Sequence, residues 1–266
     1  MLALIAGRGA LPLAVSEAVR PPIVICAMHG SLPDRVKPDH VFRLEALGGF
    51  LAWLRRKGVT EVCFCGAVDR PKLSWWRLDL RTLALLPRIR RALRTGDDSA
   101  LRIAISVFED QGLTVRAAHE VAPELLPVAG CLTQRTPDAG IQAAMRLGDQ
   151  VSLEQARADL GQACVIRDGT VLVREAQDGT DAMLDRLARE APESARGAVL
   201  YKAPKPGQER RADLPVIGLE TAQRIGAMGF AGIVIEAGGV MVLDQEAVLA
   251  TLDARGAFLW VRERQD

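Results

Sequence analysis

The sequence predicts an α/β protein, with a Rossmann-like N-terminal domain built on a mainly parallel sheet and a second, smaller α/β domain. Two observations carry this prediction. Short apolar runs of strand length alternate with segments of helical periodicity, as in βαβ units. A proline-rich, aperiodic stretch at 121–140 separates two such series. We expect domains over 1–132 and 161–266, joined by a linker and bridging helix over 133–160.

The composition excludes several classes of protein. A net charge of +1 argues against a nucleic-acid binder that relies on bulk electrostatics. The five cysteines lack metal-ligand spacing and are odd in number, which favours a reducing compartment. The sequence shows neither a signal peptide nor eighteen consecutive apolar residues. We therefore expect a cytoplasmic protein without a membrane span.

The first strand, 2–6, leads into Gly7-Arg8-Gly9 and then a helix over 11–19. This order places backbone N–H groups and a helix N-terminus where a phosphate can bind. The third glycine of a dinucleotide fingerprint is replaced by Pro12, so that motif is incomplete. A turn that only reverses the chain explains the glycines equally well.

Further strands are expected over 22–28, 40–44, 61–68 and 114–120. Helices are expected over 46–57, 80–94 with a break at Pro87, and 99–111. In parallel sheets, ligands bind beyond the carboxyl ends of the strands. Those regions carry Arg70, the pair Asp97-Asp98 and His119. A surface arginine, a helix N-cap and a hydrogen-bonded structural histidine are the alternative interpretations.

The second half concentrates charge between residues 175 and 215. A hairpin at Asp168-Gly169 leads to EAQDGTD at 175–181, and the sequence KAPKPGQERRADLP follows at 202–215. Carboxylates among helix-breaking residues suit a divalent cation, and lysines suit phosphate oxygens. Helix capping by Asp178 or Thr180, with solvated lysines, is the alternative.

Taken together, these motifs resemble the LpxI type of UDP-2,3-diacylglucosamine pyrophosphatase. The resemblance covers the full chain and is most specific in EAQDGTDAML and KAPKPGQE…DLP. It implies Mg²⁺-dependent hydrolysis, with Mn²⁺ as an alternative metal, giving UMP and 2,3-diacylglucosamine 1-phosphate (lipid X). It implies a UDP-binding first domain, a catalytic second domain and substrate held between them. It places the essential metal-positioning aspartate on Asp213. Three positions depart from the family pattern: Arg8, where a further glycine is common, Ala67, where a polar residue can stand, and Asp69, where serine can stand.

Motifs and resemblance together predict three groups of site residues. The catalytic residues are Asp213, Lys202, Gln208 and Thr180. The metal ligands are Asp213, Asp181 and Glu175. The substrate-binding residues are Gly7, Gly9, Ala10, Leu11, Gly66, Arg70, Asp97, Asp98, His119, Glu120 and Lys205.

A lipid substrate also predicts peripheral contact with the cytoplasmic face of the inner membrane. Trp75-Trp76 and Arg88, Arg90, Arg91 and Arg94 are the candidate contacts. A homodimer is a further expectation.

Two other functions compete with this interpretation. The first is an oxidoreductase, which the incomplete glycine motif and the lack of an acidic residue ending the second strand disfavour. The second is a non-catalytic regulatory protein that binds a nucleotide sugar. The clustered carboxylates argue against it, because a pure binder gains little from them beside a diphosphate.

Overall fold

The computed structural model describes residues 1–71, 73–158 and 160–264. The chain divides into two compact units. Unit 1 contains Met1–Pro123 together with the short segment Glu209–Asp213. Unit 2 contains Glu124–Gln208 and Leu214–Asp266. The predicted fold class is confirmed, because each unit is an α/β structure around its own sheet.

Unit 1 is built on a five-stranded sheet in which every neighbouring pair is parallel. The strand order is β3-β2-β1-β4-β5, so the order reverses direction between β1 and β4. In open parallel sheets this switch point forms the ligand-binding crevice at the carboxyl ends of the strands. The strands are β1 (Leu2–Ala6), β2 (Ile23–Met28), β3 (His40–Phe42), β4 (Glu61–Cys65) and β5 (Thr114–Arg116).

The helices of unit 1 pack apolar faces on this sheet, with Phe42 and Phe50 stacked 4.0 Å apart between ring centroids. The expected break at Pro87 is present, because Pro87 lies in the first turn of a new helix, α4. The helices are α1 (Leu11–Ala18), α2 (Leu47–Arg56), α3 (Leu80–Leu83), α4 (Leu86–Ala92), α5 (Asp97–Glu109) and α6 (Ala118–Val121).

The expected strand over 114–120 is wrong in its second half. The strand ends at Arg116, and His119 and Glu120 lie in α6 instead. The Glu120 carboxylate accepts the backbone N–H of Ala117 at 2.9 Å, which satisfies a donor at the helix start. His119 is therefore the second residue of α6, shortly after the strand end.

Unit 2 is built on a six-stranded mixed sheet of order β6-β13-β11-β9-β7-β8. Its centre is parallel, while β7 is antiparallel to both β8 and β9 and β6 is antiparallel to β13. A separate parallel pair joins β10 and β12. The strands are β6 (Gly130–Cys131), β7 (Ala163–Arg167), β8 (Thr170–Arg174), β9 (Val199–Lys202), β10 (Val216–Ile217), β11 (Gly232–Glu236), β12 (Met241–Val242) and β13 (Phe258–Arg262).

The hairpin expected at Asp168-Gly169 joins β7 and β8. Both residues have positive φ, +50° and +69°, as a two-residue type I′ turn requires. Apolar clusters lie on both faces of the sheet. The helices are α7 (Ala139–Arg157), α8 (Gly179–Glu190), α9 (Pro192–Ala195), α10 (Leu219–Ala227) and α11 (Gln245–Ala254).

One buried ionic network ties α7 to the sheet of unit 2. Arg262, on β13, donates two hydrogen bonds to Asp149, at 2.8 and 2.9 Å. The hydroxyl of Tyr201 donates to the same carboxylate at 2.7 Å. Burial raises the pKa of Tyr201, so its hydroxyl stays protonated and serves as a donor. The network gives the buried side chains of Arg262 and Tyr201 a common acceptor.

Within the described ranges, no helix is both long enough and apolar enough to cross a bilayer.

Candidate functional site

The glycine turn follows β1, as expected, and lies at the switch point of the sheet, but its N–H groups already have acceptors. The N–H groups of Gly7 and Arg8 donate to the carbonyls of Cys65 and Ala67, both at 2.8 Å. The Gly9 N–H donates to the Asp34 carboxylate at 2.9 Å, which lowers the pKa of Asp34. A carboxylate therefore lies where the sequence predicts a phosphate.

The turns after β1 and β4 are held against each other. A Cβ on Gly7 would overlap the carbonyl of Ala67, so glycine is needed for this close approach. Gly66 has φ of +84° and lies against the backbone of Arg8 and the ring of Pro12. The predicted residues Gly7, Gly9 and Gly66 are thus brought together, and Ala10 and Leu11 follow at the start of α1.

The arginines predicted at the strand ends are engaged in ion pairs. Arg8 forms a two-pronged pair with Asp69, at 2.6 and 2.7 Å, so two of the three departures from the family pattern are each other's partners. Arg70 binds Asp97 at 2.5 Å and the carbonyl of Thr95 at 2.9 Å. All four charged side chains are exposed, so solvent screens both pairs and they contribute little to stability.

Asp98 anchors the segment Glu209–Asp213 to unit 1. Its Oδ1 accepts the Glu209 N–H at 2.6 Å, and its Oδ2 accepts Arg102 Nε at 2.8 Å. Neither Asp97 nor Asp98 caps α5 with its side chain; Gly96 occupies the N-cap position. The aspartate pair therefore serves ion pairing and segment docking in this structure.

Arginine and glutamate side chains hold the rest of this segment in place. Arg211 binds the nearly buried carboxylate of Glu209 at 2.8 and 3.0 Å and reaches Glu109 on α5 at 2.7 Å. The Arg211 bonds lower the pKa of Glu209. The N–H of Asp213 donates to the carbonyl of Glu209 at 3.1 Å. Asp213 is thus presented, with an exposed side chain, at the end of a segment fixed on α5.

His119 carries a buried nitrogen that no described group satisfies. Its Nδ1 is buried and lacks a hydrogen-bond partner among the residues the structure covers. Burial lowers the pKa of His119, so the ring is neutral near pH 7. A buried polar atom of this kind is costly unless a ligand or water satisfies it. The neighbouring Glu120 is exposed and bound to Arg116.

In unit 2, Lys202, Thr180 and Glu175 form one chain of hydrogen bonds. Lys202, the last residue of β9, donates from Nζ to Thr180 Oγ1 and to the carbonyl of Val216, both at 3.0 Å. Thr180, in the first turn of α8, donates to Glu175 Oε2 at 3.0 Å. Since the only hydroxyl proton of Thr180 goes to Glu175, this hydroxyl can only accept a hydrogen bond from a water.

The remaining acidic residues near the start of α8 are exposed. Asp181 faces Arg224 at 3.7 Å with a side chain 63% exposed, and Asp178 pairs with Arg186. Asp178 lies at the N-cap position of α8 without accepting a capping hydrogen bond. Across the described residues, no group of three or more His, Cys, Asp and Glu side chains is arranged to hold a metal. The metal ligands Asp213, Asp181 and Glu175 stay a prediction.

The proline-flanked loop after β9 carries Lys205 and Gln208. Gln208 Oε1 accepts the Lys205 N–H at 3.0 Å, and the Gln208 N–H donates to the Lys205 carbonyl at 3.1 Å. Gly207 has φ of +76°, which favours glycine in this turn. These bonds fix the loop that leads from Lys202 towards Glu209.

Sequence reasoning did not single out several residues that organise these sites. The carboxylate of Asp34 accepts the Gly9 N–H of the glycine turn, and the amide of Gln155 donates to the carbonyl of Glu175. Arg211 fixes the segment that carries Asp213. Asp34 and Gln155 act through contacts distant in sequence, so local pattern offers no signal for them. Arg211 lies in the charged stretch 175–215, which is the signal that could have found it.

The whole chain is similar to known proteins. The protein-family model described as LpxI N-terminal domain matches residues 1–125, and the family model described as LpxI C-terminal domain matches residues 128–260. A curated relative from Caulobacter vibrioides, named UDP-2,3-diacylglucosamine pyrophosphatase LpxI, is 40% identical over 269 residues. The match covers 97% of this chain and 96% of the relative.

Proposed function

We propose that this chain, which belongs to the LpxI family, hydrolyses the diphosphate of UDP-2,3-diacylglucosamine in lipid A biosynthesis. The products would be UMP and 2,3-diacylglucosamine 1-phosphate. What supports the proposal in this structure is the ammonium of Lys202, held at the end of β9 by Thr180 and Val216. A fixed cation of this kind neutralises phosphoryl oxygens during displacement at phosphorus.

The side chains of unit 2 have distinct tasks in this reaction. Lys202 neutralises oxygens of the diphosphate, and Lys205 adds a second ammonium in the loop that Gln208 closes. Thr180 fixes the position of the Lys202 ammonium. The amide of Gln208 orients a phosphate oxygen or the attacking water. None of these groups needs to change its protonation state, since phosphoryl transfer depends mainly on positioning and charge stabilisation.

A divalent cation, when bound, supplies further neutralisation of the diphosphate oxygens. Mg²⁺ takes oxygen ligands and commonly uses one or two carboxylates, so the donor chemistry of the acidic candidates fits. Asp213 and Asp181 suit this task because both carboxylates are exposed. Glu175 suits it less, since its Oε2 already accepts two hydrogen bonds.

In unit 1, His119 is our candidate contact for the nucleotide. His119 follows the carboxyl end of β5, and its buried Nδ1 gains a partner if a ligand group binds there. We expect His119→Phe to raise KM more than it lowers kcat, because the contact acts on binding. An unchanged KM would assign His119 a structural role.

The decisive experiment measures UMP release from UDP-2,3-diacylglucosamine with Mg²⁺ or with EDTA. We expect metal-dependent release by the wild type, loss in Asp213→Asn and wild-type rates in Glu190→Gln, an exposed control at the end of α8. Titration of Mn²⁺, followed by electron paramagnetic resonance of the free ion, reports metal binding without turnover. Equal activity in wild type and Asp213→Asn would refute the role of Asp213. Ligand binding without hydrolysis by the wild type would favour the regulatory binder.

We further propose that unit 1 contacts an anionic lipid surface from the cytoplasmic side. Trp76 and Leu80 are 84% and 87% exposed, and Leu83 lies one helical turn after Leu80 with 47% exposed. Arg77 and Arg81 flank them and are also exposed. Apolar side chains bordered by arginines match the acyl boundary and the anionic headgroups of a bilayer.

Sedimentation with phosphatidylglycerol vesicles tests this surface. We expect Trp76→Ser with Leu80→Ser to lose binding, and Val128→Ser, a control 76% exposed in unit 2, to keep it. Equal sedimentation of the double variant and the Val128→Ser control would refute this lipid-binding surface.

Among the arginines that the sequence predicts as lipid contacts, Arg88 is paired with Asp110. Sedimentation velocity without vesicles tests the expected homodimer.

A further inference from the structure

The acidic residue Glu175 lies at the end of a directional chain of hydrogen bonds. Lys202 Nζ donates to Thr180 Oγ1, and Thr180 Oγ1 donates to Glu175 Oε2, each at 3.0 Å. A hydroxyl has one proton, so Thr180 can accept from the ammonium while donating only to the carboxylate. The direction of the chain is therefore set by its two ends, a cation and an anion. Both terminal bonds are of the strong, charge-assisted kind.

The protein builds a close-fitting support around Glu175. The residue is 8% exposed, and its Oε2 also accepts the Gln162 N–H at 3.2 Å. The amide of Gln155, only 1% exposed, donates to the carbonyls of Glu175 and Ala163 at 2.9 and 3.2 Å. A Cβ at Gly161 would overlap the side chain of Glu175, so only glycine lets the chain pass here.

We propose that Glu175 is a positioning residue for Lys202, acting through Thr180, in place of the metal-ligand role that the sequence predicts. This inference rests on the proposed function and deepens it. Three elements meet in the relay: the end of β9 supplies the ammonium, the first turn of α8 supplies the hydroxyl, and the loop after β8 supplies the carboxylate. The relay fixes one ammonium position, which a long and flexible lysine would not hold unaided.

Kinetics of matched variants test the relay. We expect Thr180→Val, which keeps the shape and removes the hydroxyl, to lower kcat about 10- to 100-fold, the effect of losing hydrogen bonds to charged groups. Glu175→Gln should lower kcat by a similar factor. Thr180→Ser retains the hydroxyl and should restore most of the activity. The double variant Glu175→Gln with Thr180→Val should be no worse than Thr180→Val alone, because both act on one ammonium.

The dependence of the rate on Mg²⁺ separates positioning from metal binding. A positioning residue leaves the Mg²⁺ concentration for half-maximal rate unchanged in Glu175→Gln, whereas a ligand raises it. Glu154→Gln is the control, since that carboxylate is exposed on α7 and pairs with Arg174. Thermal unfolding of each variant reports whether it is folded. A raised Mg²⁺ requirement in Glu175→Gln, or wild-type kcat in Thr180→Val, would overturn the proposal.

A readout without substrate keeps this inference apart from the proposed reaction. Nuclear magnetic resonance of protein labelled with ¹⁵N-lysine detects ammonium groups whose hydrogens exchange slowly, and Lys202→Met assigns the Lys202 signal. We expect the signal to broaden or shift in Thr180→Val and Glu175→Gln and to persist in Thr180→Ser and Glu154→Gln. An unchanged signal in Thr180→Val would refute the relay. If the signal broadens or shifts in Thr180→Val and Glu175→Gln but the wild type does not hydrolyse the substrate, the relay is upheld and the proposed reaction is refuted.

Discussion

Replacing Asp98 by alanine should loosen the segment that carries Asp213. Asp98 Oδ1 accepts the Glu209 N–H at 2.6 Å, a short bond to a charged acceptor. The variant removes this acceptor and the ion pair with Arg102, while the bond between Arg211 and Glu109 is retained. The segment should therefore stay on unit 1 but open more often at its Glu209 end.

The size of the effect follows from the geometry. A hydrogen bond to a charged partner contributes about 1.5–3 kcal/mol, and the half-exposed Asp98 belongs in the lower part, about 1.5–2 kcal/mol. Since about 1.4 kcal/mol corresponds to a factor of ten, amide exchange at Glu209 should speed up about 10- to 30-fold. The pair of Asp98 with Arg102 adds little to this effect, because both side chains are exposed and solvent screens them.

Hydrogen exchange, read at the amides of 209–213 by nuclear magnetic resonance, measures this opening without substrate. Asp97→Ala is the matched control, because Asp97 precedes Asp98 on α5 but pairs with Arg70. Urea unfolding of both variants corrects for changes in global stability. If Asp98→Ala exchanges no faster at Glu209 than Asp97→Ala, the hydrogen bond does not hold the segment and the reasoning is wrong.

Three further predictions concern stability. Asp149→Ala leaves Arg262 and Tyr201 buried without their acceptor and should cost about 3–5 kcal/mol in urea unfolding, whereas Glu154→Ala, which breaks an exposed pair, should cost under about 1 kcal/mol; similar losses would contradict the network. Gly161→Ala crowds the side chain of Glu175 and should cost about 1–3 kcal/mol, and a wild-type melting temperature would show that the loop can yield. Glu209, whose pKa Arg211 lowers, stabilises the fold above its unfolded pKa of about 4.3 and loses that contribution as the pH falls through its folded pKa. Thermal melts from pH 7 to pH 3 should therefore show a smaller acid loss in Glu209→Gln, and parallel curves would refute the assignment.

Much of the fold is readable from local pattern. The apolar run 2–6 is a buried strand in a parallel sheet, and the run expected as a strand over 61–68 forms one over Glu61–Cys65 and ends before Gly66. The turn at Asp168-Gly169 is readable because its chemistry is local to two residues. The helix at 118–121 is not, because one glutamate at its third position caps the helix start and no apolar period reveals it.

The candidate sites are less readable, because their partners are distant in sequence. The glycine turn predicts a phosphate from its own N–H groups, yet the carboxylate that binds Gly9 comes from Asp34. Arg8 and Asp69, two of the departures from the family pattern, lie far apart in sequence, yet their side chains form one ion pair. The sequence predicts that acidic residues at 175–181 bind one metal ion together. In the fold, Glu175 is buried and accepts a hydrogen bond from Thr180, whereas Asp181 is exposed. Direction of a side chain is set by packing, which residue type alone does not encode.

The segment Glu209–Asp213 belongs to unit 1 but is synthesised well after the rest of that unit. The chain leaves unit 1 after Pro123 and returns for five residues only after Gln208. At a synthesis rate of about 5–20 residues per second, the intervening stretch takes on the order of 4–17 s to emerge. During that interval α5 has been synthesised, but the segment that binds Asp98 and Glu109 on this helix has not. A nascent or truncated chain that ends before residue 209 can therefore complete its first sheet and still lack the aspartate proposed to bind the metal.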